Sequence, residues 1–257
     1  VSFVNAGLMT LRQAIGVIMG ANIGTTITAW IVAFIGFKMD VSALSLPLMA
    51  VAAPLLFMGK GKWKNFAECV IGFALLFMGL NLLSEAAEAM EIGKHMGEWL
   101  THIDVEAWWA IPLFLFAGMI LTMAMQSSSA SMAITLMLFD MNIPGFGLAQ
   151  AAALAMGQNI GTTITALLAS FAGNNQAKRA AVAHTLFNVF GVIIILCIFP
   201  LSIKATVELD KVIFGVSSNN MYLLSIFHTC FNLFITRVMI GFVPLIESTI
   251  DDFENVL

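Results

Sequence analysis

Long apolar runs separated by short polar stretches dominate the chain. A helix needs about 20 apolar residues to cross a hydrocarbon core about 30 Å thick, and six runs meet that length: 13–37, 42–59, 66–84, 147–171, 180–201 and 222–246. The run 108–141 is different, because Gln126-Ser127-Ser128-Ser129 interrupts it near its middle. At about 1.5 Å per residue each of its arms falls short of a full crossing, so the pattern predicts a re-entrant helical hairpin. Unwound backbone at membrane depth persists only when buried in protein or lining a water-filled cavity. The serine tip is therefore expected to face the inside of the fold.

Polar residues inside the runs are not scattered. Gly20-Ala21-Asn22-Ile23-Gly24-Thr25-Thr26-Ile27-Thr28-Ala29 returns as Gly157-Gln158-Asn159-Ile160-Gly161-Thr162-Thr163-Ile164-Thr165-Ala166. The offset is 157 − 20 = 137, and only Ala21 and Gln158 differ. Leu11, Gln13 and Ala14 match Leu148, Gln150 and Ala151 in the same register. Charge gives the directions. Lys60, Lys62 and Lys64 crowd one loop and Lys178 with Arg179 another, whereas 85–106 is mostly acidic, so the basic loops are read as cytoplasmic. Counting crossings through the outer loop around Lys38 to Asp40 makes the two copies antiparallel, as in transporters built from inverted repeats around a shared midplane site. The expectation is an all-α, polytopic membrane protein: an inverted-repeat transporter with broken helices and a re-entrant hairpin. Residues 1–107 hold the first repeat and the acidic connection, 108–246 the second repeat, and 247–257 a tail. Moving the Gln126 to Ser129 cluster back by the same offset lands before Val1, so the first hairpin tip is expected upstream, in a longer parent protein.

Composition agrees. The chain is 60% hydrophobic and 10% charged, which no soluble domain of this size needs. A net charge of −4 offers no basic surface to nucleic acid. Cys69, Cys197 and Cys230 lack metal-ligand spacing and read as packing residues. No nucleotide-binding loop, no His/Glu/His set and no serine with a base neighbour is present, so the chain does not read as an enzyme.

Asn, Thr, Ser and Gln oxygens suit a small cation such as sodium. Hydroxyls and the N–H groups at a helix N-terminus suit an anion, and a serine run opening the second arm of a hairpin offers both. Against this stands the ordinary role of Ser, Thr and Gly in membrane helices, bonding the preceding turn or packing helices closely. The duplication tips the balance toward a site.

The run Gln126-Ser127-Ser128-Ser129-Ala130, with the two Asn-Ile-Gly-Thr-Thr copies, resembles the sodium-dependent phosphate cotransporter family, the type II sodium/phosphate symporters and their bacterial relatives. That resemblance implicates Gln126, Ser127, Ser128 and Ser129 with Asn22, Thr25, Thr26, Asn159, Thr162 and Thr163; phosphate contacts are expected from Gln126, Ser127, Ser128, Ser129, Asn22 and Asn159, and sodium contacts from Thr25, Thr26, Thr162, Thr163, Gln158 and Ser131. It further implies sodium-coupled symport of inorganic phosphate by alternating access in the cell membrane, in a homo-oligomer or a single chain, with a PhoU-like soluble domain following the tail in some bacterial relatives. Energetics favour coupling: one positive charge moving inward at about 100 mV is worth roughly 2.3 kcal/mol, and a tenfold sodium gradient adds about 1.4 kcal/mol. The alternatives are a carrier of another oxyanion, sulfate or a dicarboxylate, and a channel or structural membrane protein.

Two features lie outside that set. His184-Thr185-Leu186-Phe187-Asn188 and His228-Thr229-Cys230-Phe231-Asn232 share four of five residues, each with a His and an Asn on one helix face. They read either as interhelical hydrogen bonds or as path-lining groups. Arg237, deep in the last run, either snorkels toward Glu247 or neutralises a bound anion. Glu68 and the five tryptophans, Trp108 and Trp109 among them, read as interfacial.

Overall fold

The computed structural model describes residues 1–36, 41–215 and 219–254. The loop around Lys38 to Asp40 and the last three residues of the tail lie outside the described residues. A short helix α1 (Ser2–Asn5) precedes α2 (Leu11–Ile31), which passes into a π turn at Val32–Gly36. Thr10 and Gln13 open α2 with a reciprocal capping box, Gln13 N–H to Thr10 Oγ1 and Thr10 N–H to Gln13 Oε1. Then come α3 (Val41–Met58), α4 (Lys62–Ala89) and the amphipathic α5 (Ile92–Leu100). The second half runs α6 (Ala110–Met125), α7 (Ser128–Asp140), α8 (Leu148–Gly161), α9 (Thr163–Phe171), α10 (Asn175–Cys197), α11 (Phe199–Phe214), α12 (Asn220–Met239) and α13 (Val243–Glu254). There is no strand among the described residues. Four helical stretches are long and apolar enough to cross a membrane: Leu11–Ile35, Lys62–Ala89, Asn175–Cys197 and Asn220–Ile250. The molecule is an all-α integral membrane protein.

The hairpin expected at 108–141 is present as α6 and α7, each too short to span alone. Three expected spans differ. The run 42–59 is helical as α3 but, among the described residues, is not one of the four stretches long and apolar enough to cross. The run 147–171 is two helices, α8 and α9, meeting at Thr162. The run 180–201 stops earlier: α10 ends at Cys197, and Pro200, in the first turn of the next helix, opens α11. A proline cannot continue a helix but fits its start. The sequence pattern missed α11 because Lys204, Glu208, Asp210 and Lys211 break its apolar run.

The centre is packed around α2, α7, α8, α10 and α12, with α6 laid along α8. The α6–α8 crossing is close because glycines line it. A Cβ on Gly157 would sit 1.8 Å from the Leu115 carbonyl oxygen, and one on Gly118 would sit 2.1 Å from that of Leu154. Only residues without side chains permit backbones to approach this far. The pair α3 and α4 packs chiefly on itself at the margin.

Contacts at the helix ends give directions. Arg12, at the start of α2, pairs with Glu247 on α13, just beyond the end of α12. Gln150, at the start of α8, borders one cleft with Asn220 at the start of α12. The two motif-bearing helices therefore run in opposite senses along α12.

Candidate functional site

The site begins at the hairpin tip. Gln126 closes α6 in the left-handed region, φ 52°, and donates its N–H to the Thr122 carbonyl at 2.7 Å. Ser127 follows in extended conformation as the N-cap of α7, its Oγ accepting the Ala130 N–H at 3.2 Å. Ser128 and Ser129 thus occupy the first turn of α7, where backbone N–H groups have no intrahelical acceptor and the helix dipole is positive. Ser127, Ser128 and Ser129 are half-buried, and Gln126 is exposed. The tip reaches the first motif copy: Ser129 Oγ lies 3.4 Å from Thr28 Oγ1 on α2.

The second copy holds the hairpin from the other side. Gln158 Nε2 donates to the Ser131 carbonyl at 3.0 Å and to Thr135 Oγ1 at 2.6 Å. Its Oε1 is buried and has no hydrogen-bond partner among the described residues. Ser131 itself is fully buried, its Oγ donating to the Ser127 carbonyl.

All four motif threonines named from the sequence return their hydroxyl protons to the preceding turn. Thr25 donates to Asn22 O, Thr26 to Ile23 O, Thr162 to Gln158 O and Thr163 to Ile160 O, at 2.7–2.8 Å. This is the ordinary membrane-helix bond, and it sorts the chemistry. A hydroxyl whose proton is committed keeps its lone pairs and suits a cation. The N–H groups of the α7 start suit an anion.

The motif asparagines are brought onto the His/Asn helices, which the sequence did not foresee. Asn22 Nδ2 donates to Asn188 Oδ1 on α10 at 2.8 Å, and Asn159 Nδ2 to Asn232 Oδ1 on α12 at 2.9 Å. Asn188 and Asn232 in turn donate to the carbonyls of His184 and His228. The sequence signal was the His-Asn echo itself, which has one member for each motif copy. His184 is half-buried, and His228 is 3% exposed with an unpartnered Nδ1 among the described residues.

Other sequence expectations are redistributed. Glu247 is taken by Arg12 at 2.6 Å, and Arg237 is exposed with no ion pair among the described residues, so it is not brought to the site. Trp30 stacks on Phe34 beside Phe214 and Tyr222 and donates to Thr229 Oγ1 at 2.9 Å. Thr135, the buried acceptor of Gln158, had its signal in the Ser131/Thr135 spacing of four.

The Na+/Pi-cotransporter family model matches residues 1–85 and 89–223. "Uncharacterized protein YqeW" of Bacillus subtilis is 35% identical over 198 residues, covering 76% of this chain and 60% of that protein. "Putative inorganic phosphate export protein YjbB" of Escherichia coli is 28% identical over 244 residues, covering 94% of this chain and 41% of that protein. Its namesake in Salmonella typhimurium is 27% identical over 246 residues, covering 95% and 42%. The chain thus spans between two fifths and three fifths of these relatives. No solved structure matches. With the serine hairpin and both motif copies inside the matched residues, the chain belongs to the Na+/Pi-cotransporter family, a family of transporters rather than of enzymes.

Proposed function

We propose that this chain is the membrane core of a phosphate transporter driven by sodium, working by alternating access about a midplane site. One observation carries it: the first turn of α7, built to receive an anion, reaches Thr28 of the first motif copy, on the same helix as Thr25 and Thr26, whose hydroxyl protons are committed to the preceding turn and whose lone pairs are left for a cation. Phosphate is assigned to Gln126, Ser127, Ser128 and Ser129. Sodium is assigned to Thr25, Thr26, Thr162, Thr163, Gln158 and Ser131. The opposite senses of α2 and α8 along α12 support two halves related by an inverted repeat.

The same reading extends to a second hairpin, the one expected upstream of Val1. It would cover α2 as α6 covers α8, over a groove of about 500 Å³ bordered by Gly16, Gly20 and Ile23. A cell-membrane location, a homo-oligomer and an appended PhoU-like domain are further parts of the proposal, and the greater length of the relatives leaves room for the last.

Direction has a second version. The Escherichia coli relative carries phosphate export in its name, and a symporter runs whichever way its summed gradients point. The test is uptake and efflux of radiolabelled phosphate in proteoliposomes, in sodium and in potassium, with sulfate and succinate as competitors. Saturable flux that needs sodium, resists both competitors and falls at least about tenfold in Ser128→Ala is expected. Flux equal in potassium removes the coupling. Flux blocked by sulfate or succinate moves the substrate to another oxyanion.

A further inference from the structure

Each motif asparagine ends a chain of two hydrogen bonds whose polarity is fixed at its far end. The His184 carbonyl can only accept, so the bond of 3.0 Å to Asn188 makes Nδ2 of Asn188 the donor there. Asn188 must then turn its Oδ1 toward Asn22, and Asn22 must answer with Nδ2, at 2.8 Å. The oxygen of Asn22 is left facing away from α10. The second chain repeats this letter for letter: His228 O, Asn232, then Asn159, at 2.9 and 2.9 Å. Ordinarily either end of a carboxamide can point either way. Here a backbone carbonyl decides it, twice. Neither Asn22 Oδ1 nor Asn159 Oδ1 receives a hydrogen bond among the described residues, and all four asparagines are buried.

We propose that Asn188 and Asn232 are positioning residues that lock the two motif asparagines with their oxygens outward, as acceptor-only ligands for the coupling cation. Asn22 and Asn159 thereby move from the phosphate set to the cation set. A helix-bridging pair that served stability alone would not need the anchoring carbonyl, because either amide orientation bridges equally well. The inference rests on the sodium-coupled reading.

The experiment measures phosphate flux against sodium and, separately, against phosphate, with the shift of the unfolding midpoint by sodium as a second readout. Asn188→Ala frees the Asn22 amide to flip. Half-saturation by sodium should rise about tenfold, the scale of one hydrogen bond, with kcat and half-saturation by phosphate little changed. Asn22→Ala removes the ligand itself and should raise half-saturation by sodium at least as far and lower the flux, and the double variant should do no more than Asn22→Ala alone. Asn188→Thr, whose hydroxyl can donate to the carbonyl four residues back and accept from Asn22, should recover most of the loss. Asn188→Leu fills the same volume and replaces the alanine variant if its cavity prevents folding. Effects that add in the double variant, or a fall in yield or kcat with unchanged sodium dependence, overturn the positioning role while leaving sodium coupling intact. A wild-type protein indifferent to sodium in both readouts overturns the coupling, and the inference with it.

Discussion

The two copies of the ten-residue motif have nearly the same letters and different fates. In the first, α2 runs unbroken through Asn22 to Thr26; in the second, the helix is interrupted at Thr162 between α8 and α9. Their inner faces match, with Met19 and Asn22 buried as Met156 and Asn159 are. Their outer faces do not. Val17 is 56% exposed where its counterpart Leu154 is 6% exposed. Nothing lies within 4 Å of a Cβ built on Gly20 or Gly24, whereas Gly157 and Gly161 meet backbone of α6. Propensity cannot break one helix and spare its twin, so the difference comes from what each is packed against. A close neighbour overrides local preference.

The sharpest way to break the comparison is to add bulk at equivalent glycines. Gly157→Leu drives side-chain atoms into the Leu115 carbonyl, which is backbone and cannot step aside. A loss of at least about 3 kcal/mol is expected, enough to abolish folded protein in detergent. Size-exclusion yield and the unfolding midpoint measure it. A folded, monodisperse Gly157→Leu protein would mean that α6 does not lie on α8 as described.

Next in size is the one position at which the copies differ. Gln158 reaches across to Ser131 and Thr135, and its counterpart Ala21 is exposed. Gln158→Ala removes two buried hydrogen bonds and should cost about 1–3 kcal/mol, loosening the hairpin and lowering phosphate flux. Ala21→Gln, on an open face, should change the unfolding midpoint by less than a degree or two. If both substitutions behave alike, the mismatch is incidental and does not mark the hairpin interface.

Much of this was legible in the sequence, for definite reasons. A serine cluster splitting an apolar run of fixed length allows only a hairpin, and Gln126 and Ser127 turn the chain there. The Lys178 and Arg179 loop and the acidic stretch led to an expectation of opposite senses for α2 and α8, and Arg12 and Gln150 lie near opposite ends of α12. Tertiary contacts stayed hidden. Nothing local says that Asn188 seeks Asn22, or that Glu247 is taken by Arg12 rather than approached by Arg237. Periodicity also failed at α11, where four charged residues masked a helix that begins in the usual way with an early proline. The hairpin cap is the local feature most open to a clean check. Ser127→Ala removes the acceptor of the Ala130 N–H and should lower stability by about 1 kcal/mol. A loss of flux far beyond that small destabilisation would tie the tip to the substrate, and unchanged flux would confine Ser127 to capping.

The smallest effect has the opposite sign. In the chain as described, Gly20 sits mid-helix with open space where a Cβ would go, so Gly20→Ala exchanges the entropy cost of glycine for a better helix former. A gain of up to about 1 kcal/mol is expected, seen as a modest rise in the unfolding midpoint. The sign is informative because the proposed second hairpin would reverse it. A helix seated on Gly20 as α6 is seated on Gly157 leaves no room for a methyl group, and in a protein carrying that arm the same substitution should destabilise by about 1–3 kcal/mol. Measuring Gly20→Ala in this chain and again in a protein carrying such an arm therefore asks whether the outer face of α2 is covered. A gain in both contexts would leave that face to lipid and make the asymmetry of the two copies a property of the transporter itself. A gain that turns into a loss would make the copies equivalent, each with its own hairpin.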